Sequence, residues 1–140
     1  MRIAIGCDHA GVHTKQALLA SVLNGHSVAD LGTDSEEPTD YPDIARRVAE
    51  MVASGKTERG ILICATGIGM AMAAGKTRGI RAATCTEPYS AEMSRRHNDA
   101  NILCLGGRVT GIGMAKRIVE TWLAAPFDAG RHARRVGKIE

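Results

Sequence analysis

Five short apolar runs, none alternating polar with apolar residues, are separated along this chain by segments whose apolar residues recur at helical spacing. The runs are Arg2 to Gly6, Ser27 to Asp30, Gly60 to Cys64, Arg81 to Cys85 and Ile102 to Leu105. A strand that is apolar on both faces has to be covered on both faces, which is the condition of a parallel sheet flanked by helices. Five helix-like segments supply that cover. Leu18, Leu19, Val22 and Leu23 mark the first stripe, and Ile44, Val48, Met51 and Val52 the second. Met114, Ile118, Val119 and Trp122 mark the fifth, all expected in the core. Pro42 suits the first turn of the second helix, and Thr110 is the expected N-cap of the fifth. The pattern predicts one α/β unit.

No linker or low-complexity break divides the 140 residues, so the chain reads as a single domain, 1–140, able to bury roughly two-thirds of its unfolded surface. The first residues enter a strand directly, without a leader-like segment, and no apolar run approaches the roughly 18 residues of a membrane span. This predicts a cytoplasmic protein with reduced thiols and no membrane partner. Net charge is +3 and aromatic residues make up 3%, which leaves few platforms for stacking bases and argues against a nucleic-acid partner. The positive charge is uneven. Arg131, His132, Arg134, Arg135 and Lys138 crowd a basic tail at about 126–140, either a solvated face or a clamp for a phosphate dianion.

Residues 60–76 read as a strand ending in Cys64, a turn containing Gly67 and Gly69, and an alanine-rich helix. Buried packing is the common fate of a cysteine, and Cys7, Cys85 and Cys104 also close apolar runs. Only Cys64 leads into two glycines spaced by one residue. A helix N-terminus carries partial positive charge, which suits a reactive thiol and a developing oxyanion. Ligands of open parallel sheets gather beyond the carboxyl ends of the strands. Here those ends bring Asp8 and His9, Asp40 and Tyr41, Cys64 to Gly67, Thr86 and Glu87, and Gly106 to Arg108. Two nucleotide motifs fail: the stretch after Gly67 lacks the third small residue of a dinucleotide fingerprint, and five residues separate Gly69 from Gly75 where a phosphate loop needs four. No Cys-x-x-Cys or other ligand cluster suggests a metal.

Gly-Cys-Asp-His-Ala-Gly at 6–11, Thr-Asp-Tyr-Pro at 39–42, Cys-Ala-Thr-Gly-Ile-Gly at 64–69, Glu-Pro-Tyr-Ser at 87–90, Arg-His-Asn-Asp at 96–99 and Gly-Arg-His-Ala-Arg-Arg-Val at 130–136 together resemble ribose-5-phosphate isomerase B. The likeness spans essentially the whole chain, in order. It implies a Rossmann-like three-layer α/β/α sandwich with a five-stranded parallel sheet in the order 2-1-3-5-4. It also implies a homodimer or dimer of dimers with sites across the interface, and aldose-ketose isomerisation of a sugar phosphate without metal or cofactor. By the same resemblance Cys64 is the base, Thr66 orients the thiol or donates to the sugar, and His97 opens the ring. Backbone N–H groups over Gly67, Ile68 and Gly69 hold the enediolate. Asp8, Asp40 and Tyr41 contact substrate, and Arg108, Arg131 and Arg135 take the phosphate, while Arg134 stays on the surface. From their positions, His9 beside Asp8 is expected to bind phosphate or the sugar, and Asn98 after His97 to fix its tautomer or the substrate hydroxyls. One departure is Ala65, where the family commonly has glycine. Isomerisation of a four- or six-carbon phosphate, a non-catalytic sugar-phosphate sensor and a redox-sensing thiol protein are the competing readings.

Overall fold

The computed structural model describes residues 1–140. Five parallel strands, β1 (Arg2–Cys7), β2 (Ser27–Asp30), β3 (Arg59–Cys64), β4 (Ala82–Thr84) and β5 (Ile102–Gly106), form one sheet in the order β2-β1-β3-β5-β4. Six α-helices connect and follow them: α1 (Val12–Leu19), α2 (Tyr41–Ala53), α3 (Ile68–Ala74), α4 (Pro88–Arg96), α5 (Ile112–Ala124) and α6 (Arg131–Val136). A short 3₁₀ turn at His9–Gly11 precedes α1.

Successive strand residues face opposite layers, and each layer has its own core. Ile3, Ile5, Ile61, Ile63, Leu103 and Leu105 pack under α1, α4 and α5 with Leu18, Ile118, Val119 and Trp122. Ala4, Leu62, Cys64, Ile102 and Cys104 pack under α2 and α3 with Ile44, Val48, Met70 and Ala74. Each fully buried Leu, Ile or Val removes enough apolar surface from water for roughly 1.5–3 kcal/mol. Small residues set how closely α2 approaches: a Cβ at Gly6 would meet Ile44 at 2.6 Å. No helix is long and apolar enough to cross a membrane.

The α/β sandwich and its strand order agree with expectation; several details differ. β4 shrinks to three residues because it is an edge strand paired only with β5. α1 ends at Leu19, so Val22 and Leu23 reach the core from a turn, and only Leu23 is fully buried. Met114, in the first turn of α5, is exposed, and the buried stripe of that helix runs instead through Ala115, Ile118, Val119 and Trp122. Thr110 is not the cap: Gly111 holds that place with no side-chain bond, and the Thr110 hydroxyl is buried without a partner. α6 adds a sixth helix with no buried residue, which is why no apolar stripe announces it.

Candidate active site

The carboxyl edge of the sheet is assembled by register. Cys64 pairs with Gly106 across β3 and β5, and Cys7 with Ile63 across β1 and β3, so three strands end side by side. The loop after β5 is clasped to the one after β3 by Gly107 N–H donating to Cys64 O at 2.7 Å and Arg108 N–H to Ala65 O at 3.1 Å. This brings Arg108 next to Cys64, exposed and without a carboxylate partner.

Cys64 is buried, and its Sγ accepts the N–H of Gly67 at 3.1 Å. A bond of this kind strengthens when the acceptor becomes charged. Gly67 makes it from a left-handed conformation with φ +80°, and a Cβ there would meet the Leu105 backbone at 3.0 Å. The other three thiols sit in settings hostile to charge. Burial pushes Cys7 and Cys85 up to about 11 and pushes Cys104 higher still.

The N–H groups expected over 67–69 divide unevenly. That of Gly67 goes to sulfur, and that of Ile68 goes to Thr66 Oγ1 at 3.2 Å. Neither Gly69 N–H nor Met70 N–H has an intrachain acceptor, so these two point free from the first turn of α3. Thr66 is exposed, and with its oxygen accepting from Ile68 its O–H remains free to donate. Gly69 has a steric reason for lacking a side chain: a Cβ would meet the Tyr41 ring at 2.6 and 2.7 Å and its hydroxyl oxygen at 2.9 Å. Tyr41, the first residue of α2, therefore lies directly on the oxyanion turn.

Asp8 is buried and binds Ala10 N–H at 2.9 Å, and His9 Nδ1 accepts the N–H of Thr39 at 3.2 Å. Asp40 precedes α2 without a capping bond, so its exposed carboxylate is uncommitted. Asp8, His9, Asp40, Tyr41, Cys64, Thr66, Gly67, Ile68, Gly69 and Arg108 thus share the carboxyl edge.

His97, Asn98, Arg131 and Arg135 do not join them. α4 leaves the carboxyl end of β4 and returns to the amino end of β5, and His97 caps its far terminus. The five residues of β5 separate the two edges by roughly 16 Å. α6 lies with His97: Arg96 pairs with Asp128 at 3.1 Å, and the His132 ring stacks on that of His97 with centroids 4.2 Å apart. His132 is the residue that motif reading left unassigned; its only sequence signal is its place between Arg131 and Arg135. Its imidazole is held below the ordinary value, first by lost hydration and then by His97, Arg131 and Arg135.

One chain therefore carries two half-sites on opposite edges: a thiol with an oxyanion turn, and an imidazole pair with cationic arms. A model of the ribose/galactose isomerases matches residues 3–139. The chain belongs to that family. It is 51% identical over 139 residues to ribose-5-phosphate isomerase B of Escherichia coli, covering 99% of this chain and 93% of the relative. It is 43% identical to D-erythrulose-4-phosphate isomerase of Pectobacterium atrosepticum, covering 99% of this chain and 93% of the relative. The solved ribose-5-phosphate isomerase B of Clostridium thermocellum superposes with a TM-score of 0.97 at 54% identity, over 99% of this chain and 95% of that one.

Proposed function

We propose that this chain interconverts ribose 5-phosphate and ribulose 5-phosphate by moving a proton between C2 and C1 through an enediolate. The observation that carries the reading is the pairing of Cys64 Sγ with the Gly67 N–H, beside the free N–H groups of Gly69 and Met70. A base and fixed donors for a developing oxyanion are what this proton transfer needs.

In the forward direction the open-chain aldose places C2–H against Cys64. The thiolate takes the proton, the C1 carbonyl oxygen becomes the enediolate oxygen, and the N–H groups of Gly69 and Met70 receive its charge without reorganising. Returning the proton to C1 while the C2 hydroxyl proton passes to the C1 oxygen gives the ketose, with every proton accounted for. The Thr66 O–H is placed to donate to a sugar oxygen, Asp8 and Asp40 to accept sugar hydroxyls, and Tyr41 to line the carbon chain.

The separation of the half-sites supports a two-chain reading of the rest. The protein works as a homodimer in which the carboxyl edge of one chain meets the amino edge of its partner. His97 of the partner subunit then opens the ring, and its Arg131 and Arg135 join Arg108 around the phosphate. Ile68 and Met72 on α3 are exposed in the single chain, which supports a partner covering them.

The test is incubation with four-, five- and six-carbon aldose phosphates in deuterated water, followed by NMR. Ketose formation with deuterium entering the product, fastest for ribose 5-phosphate, is expected. Faster turnover of a four-carbon phosphate would move the substrate toward that of the Pectobacterium relative, and no turnover of any would refute the isomerase reading.

A further inference from the structure

We propose that segment 31–40 fixes the imidazole of His9 in the tautomer protonated on Nε2, so that Nε2 meets substrate as a hydrogen-bond donor; this deepens the isomerase reading above and rests on it. The decisive contact is Thr39 N–H to His9 Nδ1 at 3.2 Å. A backbone amide nitrogen only donates, so Nδ1 must present its lone pair, and the single ring proton is left on Nε2. His9 is thereby excluded as a proton acceptor at the sugar, leaving that task to Cys64.

Segment 31–40 has no helix or strand of its own, so something else must hold Thr39 in place. Its first residues extend the sheet's edge, with Leu31 N–H on Ile5 O at 2.8 Å and Thr33 N–H on Cys7 O at 3.1 Å. Beneath them lies Lys15 of α1, whose side chain is fully buried. Its ammonium donates to Asp34 at 2.7 Å and Thr33 O at 2.8 Å, and pairs with Asp30 at 2.9 Å. A buried ammonium without acceptors is strongly unfavourable, so α1 and the segment hold each other. His13 on the same helix bonds Glu36 at 2.6 Å, and Pro38 stiffens the approach to Thr39. Lys15 is thus a positioning residue, acting through residues 30–39 on His9 without touching substrate.

The experiment is ¹⁵N NMR of imidazole-labelled protein at mildly alkaline pH, with His9 among the five histidines assigned by the signal lost in His9→Gln. A pyrrole-like Nε2 and a pyridine-like Nδ1 are expected; the opposite tautomer, or an even mixture, would overturn the proposal. Lys15→Met should move His9 toward a mixture and raise KM about threefold or more while leaving kcat within about twofold. Should that variant not fold, Asp34→Asn, whose side chain is 83% exposed, makes the same test more mildly. A folded variant with unchanged His9 signals would remove Lys15 from the device. Gln places its amide nitrogen where Nε2 stands and Asn places it near Nδ1, so His9→Asn should raise KM at least about threefold more than His9→Gln. The reverse order contradicts a donor role. Failure of the isomerase reading would show separately, as wild-type protein inactive on every sugar phosphate.

Discussion

The imidazole of His132 lies flat on that of His97, centroids 4.2 Å apart and planes 6° from parallel. The stack joins α6 to the end of α4, and so ties the ring assigned to ring opening to the arms assigned to phosphate. His132→Ala should raise KM and also slow turnover of the cyclic sugar, while an open-chain substrate shows the KM effect alone. Loss confined to stability, with both kinetic constants unchanged, would reduce the stack to packing.

The lowered pKa of His132 fixes the sign of a pH effect. A folded-state value below the ordinary 6.5 means that the fold disfavours the cation, so the stack contributes fully above 6.5 and is lost as pH falls. KM should rise on acidification more steeply in wild type than in His132→Ala, read from initial rates between neutral and mildly acidic pH. Parallel profiles would contradict this.

Turning His132 onto His97 also sorts the arginines. At about 100° per residue, Arg131 and Arg135 fall within about 100° of His132, whereas Arg134 falls about 160° away. Arg131→Ala or Arg135→Ala should raise KM about tenfold or more, the scale of a charge-assisted bond to phosphate. Arg134→Ala should change it little. Equal small effects at all three would make α6 a solvated face.

The sheet was legible because its strands are apolar on both faces, and the oxyanion turn because Gly67 and Gly69 follow Cys64 directly. Other features leave no local trace. α6 has no apolar stripe, since nothing of it is buried in its own chain. His132 gains meaning only from a ring 35 positions earlier. The division of the site needs the path of α4, which carries His97 away from Cys64 although both belong to the same motif set. Gly69 reads as a turn glycine, yet it is the Tyr41 ring pressed against it that forbids a side chain.

That contact makes a prediction of its own. Gly69→Ala must displace Tyr41, whose ring carbons would lie 2.6 and 2.7 Å and whose hydroxyl oxygen 2.9 Å from the new Cβ. A misplaced oxyanion turn should cost on the order of ten- to a hundredfold in kcat/KM with the fold retained. Tyr41→Ala combined with Gly69→Ala should lose less than the two single losses multiplied; full additivity would mean that the two residues act apart.

The thiols differ in a way that chemistry can read. Cys7 and Cys85, pushed up to about 11, stay protonated at neutral pH, so slow alkylation there should follow Cys64 alone and track loss of activity. Because folding raises these two values from 9.0, their contribution to stability is complete below about pH 9 and falls away toward about 11. Chemical denaturation across that range should show the decline. Alkylation of Cys7 or Cys85 ahead of Cys64 would contradict the assignment.

In the proposed dimer, Cys64 of one chain works with His97 of the other. Cys64→Ala alone should cost about 10²–10⁴-fold in rate, as loss of a general base does, and His97→Asn should be similarly impaired on the cyclic sugar. Unfolding the two variants together and refolding them as a mixture tests the arrangement directly. In a randomly reassembled 1:1 mixture of dimers half are mixed, and one of the two sites in each mixed dimer is intact, so about a quarter of wild-type activity should return. If each site were built within one chain, every site would carry one lesion, and a mixture no more active than its components would contradict the account.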